Sequence, residues 1–199
     1  MPKLYFKYGT VGSSKSATAL VTRFNYIEKG YNVLLLKPSI DDRSGNYIVS
    51  RLGLKVEAKV FQAETNMKKL LEEENESLFK EKKEIYDVII IDESHFLTEK
   101  QVEDLKYVAD FDLPVICFGL KNNYTSRLFI GAKRLLELAD SVTEIKSICK
   151  CGKKATMNAR IKDGKIIKEL INDTDIDIGG DEKYIGMCYK CWQGDKHYI

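Results

Sequence analysis

The sequence predicts an α/β fold, a parallel sheet with helices on both faces, followed by a small C-terminal module stapled by cysteines. Three observations carry this expectation. Short continuous apolar runs at 31–39, 86–97 and 113–120 have the length of buried strands and alternate with segments of helical period. A glycine- and serine-rich stretch, GTVGSSKS, joins the first strand to the first helix. Four of the 5 cysteines fall in two close pairs beyond residue 147.

Leu4, Phe6 and Tyr8 alternate with Tyr5 and Lys7 and end at Gly9, which predicts a strand entering a turn. Residues 15–29 carry Ala19, Leu20, Phe24 and Ile27 at helical spacing, and Gly30 fits a helix stop. YNVLLLKPS reads as a buried strand, whereas the polar stretch 41–56, with two glycines, reads as loop. Residues 65–84, rich in Glu and Lys, predict an exposed helix. YDVIIIDESHFL is a second buried strand ending in acids; 98–109 predicts a helix opening at Thr98, and LPVICFGL a third strand. The alternation runs to about residue 146, after which a hairpin is expected around Asp163-Gly164. The expected division is therefore 1–147, a nucleotide-binding domain, and 148–199, a smaller module. No repeat or low-complexity tract interrupts it.

In a phosphate-binding loop, successive backbone N–H groups cradle phosphate oxygens at a helix N-terminus. A lysine reaches the outer phosphates and the next hydroxyl binds magnesium. Gly9, Lys15 and Ser16 hold the required places of G-x-x-x-x-G-K-[ST]. Thr10, Val11, Gly12 and Ser13 lie between, and Ser14 stands where the second glycine belongs. Serine still supplies an N–H but is less comfortable at positive φ, and Gly12 is available to supply flexibility. By itself the stretch fits a serine-capped helix with a surface lysine equally well. A second feature shifts the balance: VIIIDES places Asp92 and Glu93 at a strand's C-terminal end, where open α/β sheets bind ligands. One acid suits magnesium near the phosphates, and the other can take a proton from an attacking hydroxyl. His95 reads as a packing or hydrogen-bonding residue.

Cys149 and Cys151, with Cys188 and Cys191, form C-x-C and C-x-x-C pairs around the expected hairpin. Four thiolates make a closed tetrahedral zinc site, a structural arrangement with no position left for water. Cys117, inside an apolar run, reads as a small buried residue. Asp173, Asp175 and Asp177 alternate as in a calcium loop, but Ile178 and Tyr184 stand where glycine and glutamate are required. A glycine-containing flexible segment that closes over a ligand fits that stretch better.

Composition limits the rest. With 44% apolar and 31% charged residues, global disorder is not expected. A formal charge of +2, from 32 basic and 30 acidic residues, calls for neither nucleic acid nor a membrane as partner. No apolar run approaches a membrane span, and residues 1–7 lack the features of a secretory signal, so a cytoplasmic protein is expected.

Taken together, the Gly9–Ser16 loop, IDESHFL, CFGLKNNYTSRLFIGAKRLLELAD, ICKCGKKATM and IGGDEKYIGMCYKC resemble the type II thymidine kinases, the cellular and bacterial class. The resemblance covers Leu4 to about Cys191. It implies phosphoryl transfer from ATP to the 5′-hydroxyl of thymidine, giving dTMP. It also implies a P-loop domain, a zinc-held lasso over the base, homotetramers and feedback inhibition by dTTP. By the same resemblance Glu93 is the general base and Asp92 the magnesium-linked acid, with Lys15 and Ser16 the phosphate-loop pair. Asp41 and Arg43 match the acid and arginine near the phosphates and the reacting hydroxyl. Phe96, Leu120, Tyr124, Phe129 and Met157 match the lining of the nucleoside pocket. Ile178, Gly179 and Tyr184 match the lasso, whose main chain reads the thymine edge, and the four paired cysteines match the zinc ligands. The chain departs from the family pattern at Ser14, at Val11 (usually methionine, beside the thymine methyl) and at His95 (usually glutamine). Two other classes remain open on the sequence: a catalytically impaired nucleotide-binding protein of the same fold, and a zinc-ribbon nucleic-acid binder. Near-zero charge and scattered basic residues argue against the second.

Overall fold

The structure, a computed structural model, describes residues 3–81, 86–111, 113–169 and 183–194. Strand β1 (Leu4–Tyr8) leads through the glycine-serine loop into α1 (Lys15–Glu28), which gives way at Gly30 in a left-handed conformation. Then follow β2 (Val33–Pro38), a hairpin of β3 (Tyr47–Val49) and β4 (Lys55–Glu57), β5 (Lys59–Phe61), α2 (Met67–Glu81) and β6 (Val88–Ile91). Helix α3 (Glu99–Phe111), β7 (Val115–Gly119), α4 (Ile130–Leu138) and β8 (Ser141–Glu144) complete this part. Six strands form a parallel sheet in the order β5-β2-β6-β7-β1-β8.

Period-two alternation divides the apolar side chains between two layers. Leu4, Phe6, Leu34, Leu36, Ile89, Ile91 and Val115 pack against Met67 and Leu71 of α2, Val102 and Leu105 of α3, and Leu135 of α4. Leu35, Ile90, Ile116 and Phe118 face the other way, against Ala19 and Leu20 of α1 and Ile48 of β3. The expected helices on both faces are present. At about 25 cal/mol per Å² of buried apolar surface, these two layers are the main source of stability.

Helix α3 opens with a reciprocal cap. The Gln101 N–H donates to Thr98 Oγ1 at 3.2 Å, and the Thr98 N–H donates to Gln101 Oε1 at 3.1 Å. The stretch 41–56 departs from expectation, because β3 and the start of β4 lie in it as well as loop. Tyr47, Ile48 and Val49 are strand-forming residues set in polar surroundings, and Ile48 is buried against the α1 side of the sheet. Strands β5 and β8 were not anticipated either; both are short edge strands whose lysine, serine and threonine residues dilute the apolar pattern.

Beyond residue 147, β9 (Met157–Lys162) pairs antiparallel with β10 (Lys165–Ile167) and β11 (Lys183–Met187), and a short α5 (Tyr189–Gln193) follows. The β9–β10 turn is Asp163-Gly164, both at positive φ. Cys149, Ala155, Met157, Ala159, Met187, Cys188, Cys191 and Trp192 form a separate small core.

Candidate active site

The phosphate loop lies at the C-terminal end of β1, between that strand and α1. Gly9 sits where a Cβ would come within 2.3 Å of Ser13 Oγ and 2.6 Å of the Ile145 carbonyl, so no side chain fits there. Gly12 has φ +80° and Ser14 φ 60°, so the serine adopts the left-handed conformation a glycine takes without cost. For a serine this conformation costs about 1–2 kcal/mol. Ser14→Gly is therefore expected to raise thermal stability by about 1 kcal/mol, about 2–4 °C in Tm for a chain of this size. A thermal melt showing an unchanged or lower Tm would contradict that reading of Ser14.

Strand β6 ends at Ile91, which places Asp92 and Glu93 opposite the loop. Glu93 itself is at φ 51°, a strained conformation for a non-glycine residue. Its Oε1 accepts from Arg43 Nη2 at 3.2 Å, and Arg43 Nε donates to Asp41 Oδ1 at 2.5 Å. Burial alone would raise the Asp41 carboxyl, but Arg43 and Lys37 outweigh it and hold it below the usual carboxylate range. Asp92 is buried, and burial together with the Glu93 charge pushes it up to about 7, opposed by a hydrogen bond from Ser16. Its Oδ1 is buried without a hydrogen-bond partner among the described residues. Lys15 is also buried; its Nζ donates to the Thr10 carbonyl at 2.8 Å. Desolvation lowers the Lys15 pKa, while the charges of Glu93 and Asp92 raise it.

A single cavity of about 1030 Å³ joins these groups. Val11, Gly12, Ser14, Lys15 and Ser16 line it at one side, and Asp92, Glu93, Asp41 and Arg43 face them. Phe96, Leu120, Tyr124, Phe129 and Tyr184 form an apolar and aromatic wall. Gly9, Thr10 and Ser13 shape the loop from behind and do not line the cavity. Met157 is also outside the lining: along β9 it points with Ala159 into the C-terminal core, and Asn122 Nδ2 lies 4.0 Å from its sulfur. Ile178 and Gly179, and the stretch that contains them, lie outside the described residues.

Two neighbours complete the site: His95, which packs and hydrogen-bonds as the sequence predicts, and Asn158, which escaped sequence reasoning. His95 is fully enclosed, its ring 4.1 Å from Phe96 and 4.6 Å from Phe129 between centroids. Burial first, then the Lys15 and Arg43 charges, depress its pKa well below the ordinary value, so the ring is neutral near pH 7. Its Nδ1 accepts the Leu120 N–H at 3.2 Å and lies 3.5 Å from Glu93 Oε2. Asn158, the residue after Met157, points to the opposite face of β9 and is buried. It accepts the Val11 N–H at 2.8 Å and donates to the Asn122 carbonyl at 2.5 Å. Thr10 Oγ1 bonds Ser147 Oγ at 2.5 Å, and a Cβ on Gly186 would come within 2.8 Å of Thr10 Oγ1 and the Val11 carbonyl. The phosphate loop is thus held from behind by β9 and β11. The only sequence signal for Asn158 was a polar residue alternating with apolar ones, a pattern shared by any solvent-facing strand position.

The four sulfurs of Cys149, Cys151, Cys188 and Cys191 lie within 4.8 Å of one another, and none of the four is in a disulfide. Cys151 Sγ and Cys188 Sγ are 3.6 Å apart. Zn–S bonds of about 2.3 Å place tetrahedral ligands about 3.8 Å apart, so the donor set and spacing are compatible with zinc. Burial works to raise the Cys149 thiol, but hydrogen bonds from the Cys151 and Cys188 backbone, and from neighbouring thiols, bring it down to about 7.

A phosphate loop at the C-terminal end of β1, two acids at the same end of β6, with β7 between the two strands, and one cavity joining them define a P-loop nucleotide-binding α/β protein. The family model described as thymidine kinase matches residues 2–192. The thymidine kinase of Haemophilus influenzae is 41% identical over 191 residues, covering 94% of each chain. That of Rhizobium meliloti is 40% identical over 195 residues, covering 96% of each. That of Streptococcus thermophilus is also 40% identical over 195 residues, covering 96% of this chain and 94% of the relative. The chain belongs to the thymidine kinase family.

Proposed function

We propose that the chain transfers the γ-phosphoryl group of ATP to the 5′-hydroxyl of thymidine, giving dTMP for nucleotide salvage. The observation that carries this reading is the single cavity in which Lys15 and Glu93 share space with an aromatic wall. In this reading the loop N–H groups of Gly12, Ser14, Lys15 and Ser16 and the Lys15 ammonium bind the phosphates. Glu93 accepts the 5′-hydroxyl proton, and Arg43, held by Asp41 and Glu93, orients the carboxylate and neutralises charge beside the phosphoryl group.

The residues present fit a magnesium ion, because Asp92 Oδ1 is buried and unpartnered beside Ser16. Asp92 and Ser16 would hold it, and when bound it supplies neutralising charge across the outer phosphates. Zinc on Cys149, Cys151, Cys188 and Cys191 would have a structural role in a C-terminal domain of residues 148–199. Phe96, Tyr124 and Phe129 would enclose the base, with Leu120 and Met157 supporting that pocket. Tyr184 and the backbone of Ile178 and Gly179 would close over it as a lasso.

Because nucleoside wall and phosphate loop share one cavity, a thymidine nucleotide carrying three phosphates would span both, which supports dTTP as a feedback inhibitor. Val21, Phe24 and Ile27 leave an exposed apolar stripe on α1, which supports burial between subunits of a homotetramer. Among the described residues no helix is long and apolar enough to cross a membrane. We place the protein in the cytoplasm, without a nucleic-acid partner. The reading of a catalytically impaired relative is weaker, because Ser14 reaches the left-handed backbone conformation despite its side chain.

Base choice tests the nucleoside half of the proposal. A wall built on Val11 grips the thymine methyl less closely than a longer side chain, so thymidine is expected over deoxyuridine by about tenfold or less in kcat/KM. Deoxycytidine, which leaves polar groups unpaired, is expected to lose about 10³-fold or more. Steady-state kinetics with the three nucleosides measure this, and equal use of deoxycytidine would contradict a thymine-reading site.

A further inference from the structure

We propose that Arg51, on the turn between β3 and β4, is a further phosphate-binding residue that clamps the outer phosphates of the nucleoside triphosphate against the loop. The proposal rests on the kinase reading and deepens it. Among the described residues three long cationic side chains line the cavity: Lys15, Arg43 and Arg51. Two of them are engaged. Lys15 Nζ donates to the Thr10 carbonyl at 2.8 Å, and Arg43 is shared between Asp41 at 2.5 Å and Glu93 at 3.2 Å. Arg51 makes no ion pair or side-chain hydrogen bond among the described residues, yet its guanidinium is turned towards the loop. Its Nη1 lies 3.7 Å from the place a Cβ on Gly12 would occupy. An arginine serving only to solvate a surface turn would gain more by pointing outward, away from Lys15 and from a row of loop N–H groups.

The turn that carries Arg51 is anchored. Ile48 is buried with Ala19 and Leu20 of α1, the helix that begins at the phosphate loop. Buried Lys37 donates to the Gly45 carbonyl at 3.1 Å and the Tyr47 carbonyl at 3.3 Å. Within the turn, Ser50 Oγ accepts the Leu54 N–H at 3.1 Å, and the Ser50 N–H donates to the Leu54 carbonyl at 2.9 Å. Arg51 is thereby carried above the loop on a short, tied hairpin. Its planar fork can bond two phosphate oxygens at once, a geometry an ammonium lacks. As the γ-phosphoryl moves from ADP to the 5′-oxygen, charge on its equatorial oxygens is redistributed, and a fixed guanidinium stabilises that arrangement without forming or breaking a bond.

The test measures kinetics and binding for Arg51→Gln and Arg51→Lys beside wild type. Arg51→Gln is expected to lower kcat about 10²-fold and weaken ATP about tenfold, with the thymidine KM within twofold of wild type. AMP, which lacks the outer phosphates, should bind both proteins equally by calorimetry. Arg51→Lys should recover only part of the loss, because charge returns without the fork. Wild-type values of kcat and ATP affinity in Arg51→Gln would overturn the proposal, as would equal weakening of ATP and AMP. If wild-type protein fails to phosphorylate thymidine, the kinase reading falls by itself, and the ATP-against-AMP comparison still decides the role of Arg51.

Discussion

Replacing Glu93 by glutamine is expected to lower kcat about 10²–10⁴-fold while leaving the affinities for thymidine and ATP within a few fold. The substitution keeps shape and one carbonyl oxygen, so the contact from Arg43 Nη2, now 3.2 Å from Oε1, survives in neutral form. What disappears is a carboxylate able to take the hydroxyl proton. The surroundings favour that function: Arg43 lies on one oxygen and neutral His95 Nδ1, at 3.5 Å from the other, brings no competing positive charge. Initial rates at saturating ATP with thymidine varied, then the reverse, separate the two effects. A variant with kcat within threefold of wild type would remove Glu93 from the chemistry.

The second large effect is expected at the cysteine cluster. Zinc binding to four thiolates supplies about 10–16 kcal/mol of apparent free energy in small modules. The core around it consists of a few side chains, chiefly Met157, Ala159, Met187 and Trp192. Chelation, or Cys188→Ser, is therefore expected to expose the chain beyond residue 147 to protease while the six-stranded sheet stays folded. The consequence should reach the active site, because Asn158 holds the Val11 N–H and Ser147 holds Thr10. ATP affinity should fall together with the appearance of cleavage sites, read by calorimetry and by mass spectrometry of the fragments. Unchanged cleavage after verified removal of the metal would contradict this role for the cysteines.

The parallel sheet was legible because each central strand is buried on both faces and so reads as an unbroken apolar run, as VIII does at 88–91. Helix α3 was legible from its Thr98 cap, and the β9–β10 turn from Asp163-Gly164. The hairpin of β3 and β4 was not, since it is two-stranded and only Ile48 is buried. Lys15, Asp92 and Glu93, to which we assign the chemistry, stood out because their types and positions, in the loop after one strand and at the end of another, are unusual for packing. Asn158 and Arg51 did not, for the same physical reason: each acts through a contact with the phosphate loop made across more than 35 residues of chain, and no local pattern encodes such a contact. Met157 illustrates the converse. It matches a family position, yet β9 turns its side chain into the C-terminal core while its neighbour faces the cavity.

In the proposed reaction one cavity brings the γ-phosphoryl group of ATP to the 5′-hydroxyl of thymidine. The most direct measurement supplies zinc-loaded protein with magnesium, ATP labelled at the γ-phosphate, and thymidine, and then separates the nucleotides. The label is expected in dTMP, at the 5′-position, in amounts that grow with enzyme and time. A folded protein that binds ATP and thymidine and leaves all the label in ATP or free phosphate would contradict it.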